Sequence, residues 1–266
     1  RCTSRGLGDV YKRQFKYCMM KLIKLNAIDS TNEYIKLNKS FFSQNSLAVY
    51  SFNQTNGKGQ RGKKWITEPY KNTCISFYYR VDKPSEYTLL KINLCTTLTV
   101  LEVLKSYDIT DLKIKWPNDI MSGNRKIAGI LIETTMVKNK INDLIIGIGL
   151  NVNQTDFDVI KEATSMKILK NKSFDLHMIS KQFVDKFSSF DDKISNVSKD
   201  KLIEKFCYHL FGMREKRKFT IEEKVVEGII LGITDNYMLS VESDNQVKHY
   251  DKAVSYTHLT LPTIAV

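Results

Sequence analysis

The chain has 266 residues, room for one large domain or for one domain with a small companion. Its 42% hydrophobic, 11% aromatic and 26% charged residues allow a sizeable core to be buried, which excludes global disorder. Forty-one Lys+Arg against 29 Asp+Glu leave a formal charge of +12, which admits nucleic acid, anionic lipid, nucleotide phosphates or an acidic protein and selects none of them.

Residues 1–14 precede the pair Met19-Met20, and residues 1–18 are read as a non-native or disordered extension. Patterned sequence begins with KLIKLNAI at 21–28, an alternating strand-like run. DSTNEYIKLNKS follows, with Ser30 and Glu33 at capping-box spacing, so a helix is expected to run to about Lys39. SLAVYSFNQ, near 46–54, reads as a strand, TNGKGQRGKKWITEPYKN as a long loop, and NTCISFYYRV, 72–81, as a strand again. Leu90, Leu94, Leu98, Leu101 and Leu104 recur at helical spacing and place a helix over 86–107. Three apolar runs, 112–116, 126–135 and 141–153, read as neighbouring strands of one sheet. SFDLHMISKQFVDKFSSFDDKIS and KDKLIEKFCYHLF give two further helices, stopped at Gly212. Short alternating strands then form a small β module over 212–252, with turns at Asp235-Asn236 and Asp244-Asn245. Residues 253–266 carry no formal charge and are read as a non-native tail.

The five cysteines are scattered and include no C-x-x-C pair, and the four histidines have no spacing that would place two on one helical face. A disulfide framework and a structural zinc are therefore not expected. No apolar run reaches the roughly 18 residues of a membrane span, and the N-terminal residues lack the apolar core of a signal peptide, so the expectation is a soluble cytoplasmic protein.

The strongest local signal is GKGQRGKKW, Gly57 to Trp65. Gly57, Gly59 and Gly62 spell G-x-G-x-x-G, but Pro69 and the turn at Asn72 follow where the dinucleotide fingerprint needs a helix. The same stretch nearly spells a P-loop, with Lys64 standing where a hydroxyl should hold magnesium. Glycines that let backbone N–H groups approach an anion, together with Lys58, Arg61, Lys63 and Lys64, describe a phosphate-gripping loop. On this segment alone a solvated basic hairpin tip weighs evenly against it. KIKWPNDI, 113–120, puts Asn118 and Asp119 where a strand ends at Trp116-Pro117, a frequent place for functional polar groups, although a plain Asx turn has the same signature. Lys126 opens the next strand beside the small residues Ala128 and Gly129. Gly147 and Gly149 interrupt a strand where a backbone or ligand comes close, and Asn151 follows.

Taken in order, DSTN at 29–32, QTNGKGQRGKKW at 54–65, KWPND at 115–119, KIAGILIE at 126–133 and GIGLNVN at 147–153 resemble the biotin protein ligases over roughly residues 21–252. The resemblance implies an α+β fold: a mixed β-sheet catalytic domain over 19–211 with helices packed on one side, as in class II synthetases, plus a small C-terminal SH3-like β-barrel. It implies an ATP-dependent enzyme that makes biotinyl-5′-AMP and transfers biotin to a lysine of a biotin carboxyl carrier protein. No DNA-binding domain is expected, no DNA or membrane partner, and a homodimer is left open.

Carried onto this chain, the resemblance makes Lys126 the main phosphate-contacting lysine. Asp119 orients or deprotonates the incoming lysine, Lys115 is its electrostatic partner, and Arg61 is a further catalytic group. Ser30, Thr31, Asn32, Gln54, Gly129 and Ile130 would hold biotin. Gly57, Lys58, Gly59, Gln60, Arg61, Gly62, Trp65, Asn118, Lys126 and Asn151 would hold ATP or biotinyl-AMP. Arginine is the family's usual residue where Lys58 and Gln60 stand here, which puts retention of the intermediate in question. Magnesium is expected with the ATP phosphates, with no protein ligands assigned. The rival readings are a lipoate or octanoate ligase of the same fold, whose own loop and lysine motifs are missing, and a non-enzymatic basic module that binds nucleic acid.

Overall fold

The computed structural model describes residues 20–157, 162–221, 224–251 and 255–256. Seven strands form one mixed sheet: β1 (Lys21–Leu25), β2 (Ser46–Ser51), β5 (Thr73–Arg80), β9 (Lys140–Leu150), β8 (Arg125–Val137), β7 (Asp119–Ser122) and β6 (Leu112–Lys115), in that spatial order. β1 runs parallel to β2, and every other neighbour is antiparallel.

Alternation along the central strands decides what each face carries. Ala48 and Tyr50 of β2, Ile75, Phe77 and Tyr79 of β5, and Leu144, Ile146, Ile148 and Leu150 of β9 enter the main core. That face is covered by α2 (Leu89–Lys105), α4 (Leu176–Phe187), α5 (Phe190–Asn196) and α6 (Lys199–His209). Phe77 stacks on Phe187 at 4.2 Å and Phe187 on Phe190 at 5.6 Å. The opposite face carries α1 (Thr31–Asn38), whose Ile35 meets Leu47, Val49, Tyr78 and Ile145 in a smaller cluster. Beside α1 the same face turns polar and glycine-rich, with Ser76 and Gly147 cross-strand partners, as are Cys74 and Gly149.

Several elements depart from the sequence reading. The first strand ends at Leu25, and Ile28 makes only an isolated parallel bridge to Gln54. α1 ends at Asn38 and continues as a 3-10 turn, Lys39–Phe41. Ser30 caps α1 by accepting from the Glu33 N–H, but the Glu33 carboxylate is engaged by Lys36 and Lys58. The expected long loop contains a miniature hairpin, β3 (Gly57–Lys58) with β4 (Lys64–Trp65), around a 3-10 turn at Gln60–Gly62. β7 is an addition to the expected strands: Pro117 and Asn118 read in the sequence as the end of a strand but link β6 to β7. The helical stretch after residue 173 breaks at Ser188-Ser189 into α4 and α5, and the short α3 (Met166–Lys170) precedes it.

The C-terminal strands make a five-stranded antiparallel sheet of SH3-like form, in the order β13 (Gln246–Tyr250), β12 (Leu239–Ser243), β11 (Lys224–Ile233), β10 (Lys216–Ile221) and β14 (Ser255–Tyr256). β10 lies in a Lys/Arg-rich segment whose alternation was not read as a strand. Asp244 and Asn245 both adopt positive φ, 52° and 58°, as a two-residue hairpin turn requires. β14 falls in the segment read as a tail; the remainder of that segment and residues 1–18 lie outside the described residues. No helix among the described residues is long and apolar enough to cross a membrane.

Candidate active site

A cavity of about 400 Å³ opens on the polar face of the large sheet, within the size range of small-molecule sites. Its floor is the glycine-containing stretch of β8 and β9, its near wall is the start of α1 with Gln54, its far wall is the β6–β7 turn, and the β3–β4 hairpin lies over it.

The near wall is a connected set of hydrogen bonds. The Thr31 N–H donates to Gln54 Oε1 at 3.0 Å, Ser76 Oγ lies 2.6 Å from both Thr31 Oγ1 and Asn32 Oδ1, and Asn32 Nδ2 donates to Glu133 at 2.7 Å. Ser30, Thr31 and Asn32 are all buried, and these hydrogen bonds hold their side chains in one arrangement while the hydroxyl and amide oxygens keep further acceptor capacity. Gly147 makes this possible: a Cβ there would stand 2.3 Å from Asn32 Oδ1.

Trp65 reaches from β4 to lie over the floor. A Cβ at Gly149 would meet its indole at 2.2 Å and one at Gly129 at 2.9 Å, so two glycines make room for one aromatic ring. Lys126 Nζ sits 5.4 Å from the Trp65 ring centroid and 2.7 Å from Asp119 Oδ1. A β-bulge aims Lys126 at this point. The β7–β8 register passes from Ile120↔Ala128 to Met121↔Lys126, leaving Ile127 as the extra residue. Lys126 is also tied by its backbone, donating to the Glu162 carbonyl and accepting from the Thr164 N–H.

On the far wall, Asn118 Nδ2 donates to the Ile130 carbonyl at 2.7 Å and the Ile130 N–H donates back to Asn118 O at 3.0 Å. Lys115 and Asp119 face each other across the β6–β7 register. The ion pair that holds the Asp119 carboxylate is with Lys126, which was not anticipated.

The cavity thus gathers Lys115, Asp119, Lys126, Ser30, Thr31, Asn32, Gln54, Gly129, Ile130, Lys58, Gly59, Gln60, Trp65 and Asn118 from the expected set. Gly57 stands behind it, packed on Gln54 and the Trp65 backbone, and Gly62 turns the loop at φ 75°. The Arg61 side chain lies outside the described parts of the structure. Asn151 is not among the lining residues: its amide donates to the Thr164 carbonyl at 3.0 Å, which fixes the chain beyond β9. Lys63 and Lys64 of the expected phosphate-gripping loop also line the cavity, whereas sequence reasoning gives no sign of Cys74 or Leu131 on the wall. Burial pushes the Cys74 thiol up to about 12, which makes it a neutral wall group. Glu33 was also missed as a partner of the loop. Lys58 Nζ is 2.9 Å from its Oε1, and the hydrogen bonds from Lys58 and Lys36 lower its pKa below the usual carboxylate range.

Five lysines and a single carboxylate, Asp119, line the cavity among the described residues. Such a surplus suits a polyanion. The described residues contain no cluster of three or more His, Cys, Asp or Glu able to hold a metal ion.

A mixed sheet with a glycine floor under an aromatic lid and a lysine-rich hairpin defines a small-molecule site built for an anionic ligand. Residues 25–151 of the chain match the model of the biotin/lipoate A/B protein ligase family. It is 26% identical over 232 residues to the bifunctional ligase/repressor BirA of Salmonella typhimurium, covering 84% of this chain and 70% of that one. With the BirA of Escherichia coli it shares 30% identity over 128 residues, which are 48% of this chain and 39% of that one. Among solved structures, biotin protein ligase from Aquifex aeolicus in complex with biotin and ATP is similar with a TM-score of 0.73 and 26% identity, covering 90% of this chain and 99% of that one.

Proposed function

We propose that the protein is an ATP-dependent biotin protein ligase, which joins the biotin carboxylate to the α-phosphate of ATP, releases pyrophosphate, and passes the biotinyl group to a lysine of a biotin carboxyl carrier protein. The observation that carries this reading is the Asp119–Lys126 pair at 2.7 Å, set between a neutral polar wall and a cationic hairpin. The first step places extra negative charge on phosphorus, and a preformed cation at that point stabilises it with little reorganisation. Lys126 takes that part. Lys58, Lys63 and Lys64 hold the outgoing phosphates, and the Trp65 lid keeps water from the mixed anhydride.

Ser30, Thr31, Asn32 and Gln54 supply the neutral donors and acceptors that suit a ureido ring. In the second step the attacking amine must shed a proton as the acyl–oxygen bond to AMP breaks, and Asp119 is the carboxylate within reach of that point. Magnesium enters with ATP on its phosphates.

Two similar proteins support this reading by name, the Aquifex ligase with biotin and ATP and a biotin--[acetyl-CoA-carboxylase] ligase from Mycobacterium tuberculosis. Incubation with ATP, magnesium, a biotin-carrier domain and either biotin or lipoate, followed by mass spectrometry, tests it. A biotin-sized gain on one lysine is expected. A lipoyl gain, or none, would overturn the assignment.

A further inference from the structure

The β6–β7 turn is held from two sides. On one side Asn118 exchanges two hydrogen bonds with Ile130. On the other, a single residue of the C-terminal sheet, Tyr237, grips the two residues before it. The Tyr237 hydroxyl donates to the Pro117 carbonyl at 2.6 Å, and the Trp116 indole N–H donates to the Tyr237 carbonyl at 3.0 Å. The Trp116 and Tyr237 rings stand 6.2 Å apart, and Phe206 of α6 closes the far edge of Tyr237 at 5.8 Å. Tyr237 sits between β11 and β12 at φ 62°, a left-handed conformation unfavourable for a bulky residue and kept only where the surroundings over-determine it. Burial pushes its phenol well above the usual tyrosine range, which keeps the hydroxyl a donor.

We infer that Tyr237 is a positioning residue for the cavity's far wall: by clasping Trp116 and Pro117 it sets where Asn118 and Asp119 stand against Lys126. Tyr237 does not line the cavity, so it acts through the turn. A phenylalanine would fill the same space, and the hydroxyl is what specifies the carbonyl's place. The C-terminal sheet thereby contributes to the chemistry without touching the ligand. This rests on the ligase reading above, since the step affected is formation of biotinyl-AMP.

The test is Tyr237→Phe in the full chain, with single-turnover formation of biotinyl-AMP measured at saturating ATP, magnesium and biotin. The maximal rate is expected to fall about tenfold, the equivalent of one hydrogen bond. The biotin KM should stay within about twofold, because the clasp does not reach the near wall. Val241→Ala, in the buried side of β12, serves as the comparison: it should lower the melting temperature and leave the rate at 25 °C unchanged. A Tyr237→Phe variant with the wild-type rate, or rate losses that track melting temperature in both variants, would overturn the inference. Failure of the unaltered chain to form biotinyl-AMP would overturn the ligase reading itself.

Discussion

Lys126 occupies an unusual position for a lysine, with its backbone locked into the β7–β8 bulge and its ammonium between a carboxylate and an indole face. The backbone bonds to Glu162 and Thr164 do not involve the side chain, so Lys126→Ala should leave the fold intact. In the role proposed for Lys126, loss of a preorganised cation at the reacting phosphorus corresponds to roughly a 10²–10³-fold drop in rate. Pyrophosphate release should fall by that order while the circular dichroism spectrum is unchanged; a near-normal rate would remove Lys126 from its role. The residue pattern around Lys126, a charge at the head of an apolar strand beside small residues, fits an edge charge equally well, and it is the resemblance to the biotin protein ligases that singles this lysine out. Its pairing with Asp119 was not legible, since it depends on a bulge that brings residues seven apart in sequence onto one spot. Glu33 is the opposite case: its spacing from Ser30 announced a cap, and the cap forms. The same spacing could not reveal that the free carboxylate turns to Lys58, because that contact is made between elements.

At the scale of elements, the hairpin over the cavity is tethered to α1 through the Glu33–Lys58 pair, with Lys36 shared between Glu33 and Glu133. Glu33 has a folded pKa below its unfolded value, so its contribution is fully present above the ordinary carboxylate pKa and is lost as pH falls through the lowered folded value. The pair is partly exposed, so about 0.2–1 kcal/mol is the appropriate size, smaller in high salt. Glu33→Gln should therefore destabilise the protein by that amount near pH 7, and the gap from wild type should close as pH falls below the ordinary carboxylate range through the lowered folded value. Urea titrations at several pH values check this, and a gap independent of pH would show that the carboxylate charge has no part. The elements themselves were read well where period and length agreed, as in β5 and α2. They were missed where too few residues alternate for a pattern to show or where Pro and Asn punctuation precedes them: β3 and β4 have two residues each, and β7, with four, directly follows Pro117-Asn118. α4 and α5 merged in the sequence because Ser188 and Ser189 carry no Gly or Pro punctuation, and only packing of Phe187 and Phe190 on the sheet decides the break.

Across the whole molecule, the two sheets share one apolar core: Phe219, Ile230, Leu239 and Val241 of the C-terminal sheet join the cluster that holds Ile114, Ile120 and Phe206. Backbone bonds cross the same boundary, from the Phe211 N–H to the Ile114 carbonyl and from the Arg214 N–H to the Ile230 carbonyl. The positive charge, by contrast, is distributed by site, with Lys58, Lys63, Lys64, Lys115 and Lys126 converging on one cavity. Stability and function therefore meet at the boundary between the sheets, where Trp116 is buried within the site's far wall. Phe206 is fully buried there and packs on Tyr237. Removing its ring leaves a cavity and costs about 3–5 kcal/mol. If the sheets unfold together, Phe206→Ala should lower the urea midpoint equally for Trp116 fluorescence and for hydrogen exchange in β12, with a single transition in both proteins. If the C-terminal sheet opens by itself, exchange in β12 would become fast while tryptophan fluorescence kept its wild-type midpoint, and the shared core would be only a contact surface between two independent units.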